Sequence, residues 1–182
     1  FLVENVKDTI LKFARLIAGL FVCAVGMVMT INANLGLSPW DVFHHGLSKL
    51  TGLTLGRANI VTGLSIVILD IIFGERVGWG TILNMLLIGL FIDFLMFNKL
   101  IPIFDGFIPS IIMMVIGMFL IGIGCFLYIG VGFGSGPRDG LMVALVKKTK
   151  KSVRLIRSSL EVVSVAIGYI LGGSVGIGTL IM

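Results

Sequence analysis

Charge is scarce in this 182-residue chain. Asp, Glu, Lys and Arg make up 13% of it, against about 25% in soluble domains. A water-soluble globular domain is therefore excluded, and a mean hydropathy of +1.13 points to an integral membrane protein. Short alternating segments are also missing, which excludes a transmembrane β-barrel. There are two cysteines, Cys23 and Cys125, each in an apolar run where a small hydrophobe is the default reading. No disulfide framework and no metal spacing appear. The two histidines, His44 and His45, are adjacent, so no nucleophile–base–orienter set can be assembled, and no phosphate-cradling loop is present. The sequence thus points to no enzyme, no cofactor and no metal. Its net charge of +5 reads as loop lysine and arginine rather than a nucleic-acid surface. No cleavable signal peptide is visible: Lys7, Lys12 and Arg15 precede a run long enough to span. A chain that begins at Phe1 and stops mid-pattern at Met182 reads as a fragment, with roughly 15–20 residues of a final span to follow.

Glycine is plentiful, with 25 residues, and its positions repeat. Leu35-Gly36-Leu37-Ser38-Pro39-Trp40-Asp41 recurs as Phe133-Gly134-Ser135-Gly136-Pro137-Arg138-Asp139, 98 residues later. The same spacing pairs Gly19 with Gly117, Gly26 with Gly124 and Gly74 with Gly172, and it pairs Val77-Gly78-Trp79-Gly80-Thr81 with Val175-Gly176-Ile177-Gly178-Thr179. Residues 13–84 laid on 111–182 without a gap give 17 identities in 72 positions, the mark of an internal duplication.

Residues 1–11 read as an interfacial lead-in and Lys12–Ile31 as the first span. Asn32 to Gly36 breaks it. Ser38 then caps a helix with Pro39 in its first turn and Asp41 closing a capping box; it ends by Thr51-Gly52, too short to span. Thr54 caps a span over 55–74, and another runs from Gly80 to Asn98. After a loop from Lys99 to Pro109, the second copy gives a span at 110–131, a short helix at 137–149, a span at 153–172 capped by Ser152, and the start of a last span at Thr179. The expected fold is an all-α polytopic membrane domain of two inverted-topology repeats, 12–98 and 110–182. Each has three transmembrane helices and one half-length helix, re-entrant or interfacial. An odd number of spans per repeat inverts the second. With the N-terminus in the cytoplasm, eleven of the fourteen Lys and Arg residues fall inside, and Lys49, Arg57 and Lys99 fall outside, as the positive-inside rule requires.

Gly36-Leu37-Ser38-Pro39-Trp40-Asp41-Val42, His45-Gly46-Leu47-Ser48, Thr51-Gly52-Leu53 and Gly78-Trp79-Gly80-Thr81-Ile82-Leu83-Asn84 resemble the YczE/YitT-like family of bacterial membrane proteins. The second repeat is a looser copy, with Gly136 in place of Ser38 and Arg138 in place of Trp40. The resemblance implies a protein of the bacterial inner membrane and supplies no biochemistry.

Three features are candidates for chemistry. The first is the pair of Pro-Asp turns. Half-helix N-termini at the bilayer midplane present free N–H groups, and inverted-repeat transporters place substrates between two such ends. Seven residues from Asn32 to Ser38 reach roughly 20 Å when extended, enough to return to the midplane. The site residues are then Ser38, Pro39, Trp40, Asp41, Pro137, Arg138 and Asp139, and the paired acids favour a cation, a proton or a neutral polar solute. An interfacial placement fits equally well, because Val42, Phe43, Gly46, Leu47 and Leu50 share one face and Asp41, His44, His45, Ser48 and Lys49 the other. On that pattern the histidines read as solvated. The second candidate is Glu161 with Arg157, an intramembrane ionisable pair about two turns into its helix; Asp70 and Asp93, nearer helix ends, read as solvated, and Asn84 as a structural hydrogen-bonding residue. The third is the basic run from Lys147 to Arg157, which topology alone accounts for. Gly19, Gly26, Gly117, Gly122 and Gly124 read as close helix packing.

The expectation is a small-solute transporter or channel, with a site between the Pro-Asp turns. A non-transporting accessory or scaffold protein, or a substrate-capture subunit of a larger complex, is the alternative. The implied partners are the lipid bilayer, a small polar or cationic solute, and a second copy or another membrane protein; nucleic acid is not among them.

Overall fold

The computed structural model describes the backbone of residues 2–104 and 106–182, with side chains from Lys7 onward. The described residues form helices and connecting turns: α1 (Leu2–Asn32), α2 (Pro39–Thr51), α3 (Leu55–Ile72), α4 (Trp79–Phe97), α5 (Phe107–Ile129), α6 (Pro137–Thr149), α7 (Val153–Ile170) and α8 (Ile177–Ile181). Four of them, α1 from Lys7 on, α3, α4 and α5, are long and apolar enough to cross a bilayer. Helix α7 equals α3 in length, at 18 residues. Its first nine residues include Arg154, Arg157 and Glu161, so composition does not mark it as a span. The lead-in expected over 1–11 is not a separate element. From Leu2 on it belongs to α1, because no Gly or Pro interrupts the run; Phe1 lies outside the described residues.

Capping residues set the other helix starts. The Ser38 hydroxyl accepts from the Asp41 N–H at 3.4 Å and donates to Asp41 Oδ2 at 2.6 Å. The expected capping box is therefore altered: the carboxylate takes the Ser38 hydroxyl rather than its backbone N–H. Thr54 and Ser152, 98 residues apart, accept from Arg57 N and Leu155 N at 3.3 Å each.

The duplication is legible in the backbone. Residues with positive φ fall in pairs 98 apart: Asn34 with Gly132, Gly36 with Gly134, Gly52 with Lys150 and Gly74 with Gly172. The two that have no mate, Lys99 and Gly106, lie in the connection between α4 and α5. Tertiary hydrogen bonds repeat as well. Gly80 N donates to Phe133 O at 2.8 Å, and Gly178 N to Leu35 O at 2.8 Å. At the far ends of the half-helices, Lys49 Nζ donates to Gly172 O at 3.0 Å, and Lys147 pairs with Glu75 at 2.7 Å.

Helices α1 and α5 form the central seam. A Cβ on Gly26 would lie 2.6 Å from Gly117 O, and one on Gly124 2.6 Å from Gly19 O. Only glycine lets the backbones approach so closely. Because Gly19 meets Gly124 while Gly26 meets Gly117, the two helices run antiparallel. Gly122 does not belong to this seam: nothing lies within 4 Å of its Cβ position, since it falls two residues from Gly124 and so on the outer side of α5. Leu16, Leu20, Ala24 and Val28 of α1, with Ile88, Ile92 and Leu95 of α4, form the core beside the seam.

Candidate functional site: a polar cavity between the half-helices

The N-terminal ends of α2 and α6 meet in one cavity of about 250 Å³, floored by the middle of α1 and walled by α3, α4, α5 and α7. Much of its lining comes as residues 98 apart: Cys23 with Ile121, Met27 with Cys125, Trp40 with Arg138, His44 with Met142, Asn59 with Arg157, and Gly63 with Glu161. Trp40 and Arg138, equivalent by sequence, touch each other: the guanidinium carbon sits 5.0 Å from the indole centroid, a cation–π contact.

Of the residues expected at the site, Trp40, Pro137, Arg138, Asp139, Arg157 and Glu161 line this cavity. The Arg157–Glu161 pair and part of the Pro-Asp turns line the same cavity. Arg157 Nε donates to Glu161 Oε1 at 3.1 Å. Ser38, Pro39 and Asp41 stand behind the wall. Asp41 is 4% exposed, screened from the cavity by His44.

A chain of polar contacts runs inward from there. Arg138 Nη2 donates to Asn59 Oδ1 at 3.1 Å and approaches His44 Nε2 at 3.4 Å. The opposite ring nitrogen, Nδ1, lies 3.4 Å from Asp41 Oδ1. A guanidinium only donates, so Nε2 accepts and Nδ1 carries the proton toward Asp41; His44 is a neutral bridge. Burial pushes the imidazole below its ordinary pKa and outweighs the Asp41 carboxylate beside it, which agrees with that tautomer. Burial alone would raise Asp41, but the His44 hydrogen bond, the Arg138 charge and the Ser38 hydroxyl hold it below the usual carboxylate value. Asp139 differs. Burial lifts its carboxyl above the ordinary value, against the pull of Arg157 and Arg138.

Three expectations need correction. His44 is not solvated: at 2% exposure it faces the protein, because its part of the polar side of α2 is turned toward Arg138 of α6, which also holds Asn59 of α3. His45 is half-buried and accepts from Ser174 N at 3.2 Å. Asp70, expected to reach solvent, is 2% exposed, and its Oδ1 has no hydrogen-bond partner among the described residues; Gly140 of α6 packs directly on the carboxylate. Asp93 instead caps α3, accepting from Gly56 N at 2.8 Å and from the Thr54 hydroxyl.

Residues 10–182 match a family of unknown function, DUF6198. The chain belongs to that family. The YczE part of the resemblance noted in the sequence holds for most of this DUF6198 chain. It is 38% identical over 179 residues to the uncharacterized membrane protein YczE of Bacillus subtilis (strain 168), covering 96% of this chain and 81% of YczE. An uncharacterized protein of Haemophilus influenzae is 32% identical over 173 residues, with 95% and 76% covered. YyaS of Bacillus subtilis is 29% identical over 166 residues, with 90% and 82% covered. No solved structure matches.

Sequence reasoning missed Asn59, Tyr128 and the two cysteines as cavity residues of the DUF6198 chain. For Asn59 a signal existed: it is the counterpart of Arg157, and two polar residues at equivalent depth in otherwise apolar helices mark a shared wet surface. Tyr128 and the cysteines carried none. Asn84, expected to be structural, lines the cavity.

Proposed function

We propose that this membrane protein is a transporter or channel for a small cationic or neutral polar solute, which binds in the cavity between the N-terminal ends of α2 and α6. One observation carries the reading: the cavity is lined by equivalent residues of the two repeats, the position at which inverted-repeat transporters hold their substrates. The two repeats, 12–98 and 110–182, then form one domain with opposite orientations in the bilayer. The antiparallel seam of the equivalent helices α1 and α5 supports the inversion. On this reading α2 and α6 are re-entrant, α7 is a fifth span packed against α2, and the protein performs no covalent chemistry.

Charge chooses the solute. Arg138 is balanced by Asp41 through His44, and Arg157 by Glu161. With Asp41 counted from behind the wall, Asp139 is left over, so the site carries one net negative charge while that carboxyl is ionised and then favours a cation. Loop charge supports a cytoplasmic N-terminus, as expected of an inner-membrane protein. Arg138 and Arg157 leave that tally because both line the cavity; nine inside against three outside keeps the same orientation.

Membrane-impermeant thiol reagents test the reading on single cysteines at 139 and 142, in a chain lacking Cys23 and Cys125. Slow labelling at both positions, as from one shared water-filled pocket protected from bulk, is the expected result. Fast labelling of each position as if on open surface would sink the central site. It would return the scaffold reading, for which the exposed Lys150, Lys151 and Arg154 offer a docking face.

A further inference from the structure

Sulfur is concentrated at the cavity. Five of its twenty lining residues carry it, namely Cys23, Cys125, Met27, Met85 and Met142, whereas the whole chain has nine methionines and two cysteines in 182 residues. The two thiols come from opposite sides of the α1–α5 seam, 102 positions apart in sequence, and their sulfurs lie 3.9 Å apart. Two sulfurs each about 2.3 Å from one ion, at that separation, subtend an angle of about 116°, between trigonal and tetrahedral.

We infer that Cys23 and Cys125 form a binding site for a soft monovalent cation of the Cu(I) type, completed by methionine thioethers of the same cavity. The inference rests on the central-cavity reading above and names the class of cation. Three independent features agree on it. The net charge of the site selects a cation. The ligand types select a soft one, since thiolate and thioether favour Cu(I) over the harder divalent ions. Among the described residues, no three His, Cys, Asp or Glu side chains gather as a metal-holding set, so a zinc site of the usual kind has no ligands here, while a low-coordinate ion needs only the thiol pair and a thioether. Binding exchanges the thiol protons for the metal and releases them to water; no electron moves.

The thiols report on their own site. The full chain in detergent, reduced and kept anaerobic with ascorbate, is alkylated with a maleimide and followed by mass, with and without one equivalent of Cu(I). Cys125, half-buried, is expected to react from water in the absence of metal, and Cys23, 2% exposed, to react more slowly; Cu(I) is expected to slow the reaction of Cys125 by at least about tenfold. The Met27→Leu/Met85→Leu/Met142→Leu variant is expected to lose most of that protection, read as the ratio of its own labelling rates with and without metal. Equal labelling with and without Cu(I), or full protection in the leucine variant, would overturn the inference and leave two packed thiols at the wall of a cavity that still stands. Thiols that never react with the maleimide would sink both this site and the aqueous cavity itself.

Discussion

Arg138, partly buried at the cavity wall, reaches the buried Asp41 through the buried His44, and the energetics of that unit follow from the burial of Asp41. Removing one charge leaves the other without compensation in a low-dielectric interior, which costs about 3–5 kcal/mol. Arg138→Met is therefore expected to lower the unfolding free energy in mixed micelles by about that amount. Arg138→Met combined with Asp41→Asn recovers a large part of it, because the pair leaves together; strict additivity of the two changes in a double-mutant cycle would contradict the coupling. Both residues were visible in the sequence as members of the Pro-Asp turns. Their partnership was not. The spacing of 98 makes Trp40 and Arg138 equivalent, and nothing in a sequence shows that equivalent positions touch, because that depends on where the axis runs. His44 and Asp70 misled for a related reason: position along a helix measures depth, while solvation depends on which neighbour covers the face.

Helix boundaries were the most legible level. Ser38, Thr54, Ser152, Pro39 and Pro137 each stand where the sequence places a helix start, since capping chemistry is local. The α1 lead-in failed for want of any local signal. Glycines were legible as a class but not one by one. A leucine at Gly124 would collide with Cys23 and the Gly19 carbonyl, so Gly124→Leu is expected to abolish folded protein on size-exclusion chromatography. Gly122→Leu, facing open space two residues away, is expected to elute as wild type. Equal behaviour of the two would refute the seam. A stabilising change is also available. Lys150 holds φ +56 at the position where the first repeat has Gly52, and a left-handed conformation costs a side chain about 1 kcal/mol. Lys150→Gly should raise the melting temperature in detergent, and a lower one would contradict the backbone equivalence of the two helix ends.

For the molecule as a whole, the duplication read from 17 identities reappears in paired backbone conformations, paired hydrogen bonds and a shared cavity. On the proposed function, its consequence is a site with one unbalanced carboxylate. Asp139 has a raised pKa, so lowering the pH neutralises it sooner than an ordinary carboxylate. Cation occupancy of the cavity should fall as the pH drops into that elevated range, and Asp139→Asn should bind weakly at every pH. A wild-type affinity independent of pH from neutral to acid would contradict the assignment. The most direct test of the central cavity is proximity across the repeats. Cysteines replacing Trp40 and Arg138, in a Cys23→Ser/Cys125→Ser chain that remains monodisperse, are treated in native membranes with a short bifunctional maleimide. Rapid intramolecular cross-linking is the expected result, because the two side chains meet inside the protein. No cross-link from folded chain would place the half-helices on opposite membrane surfaces, about 30 Å apart, and the central site would not exist.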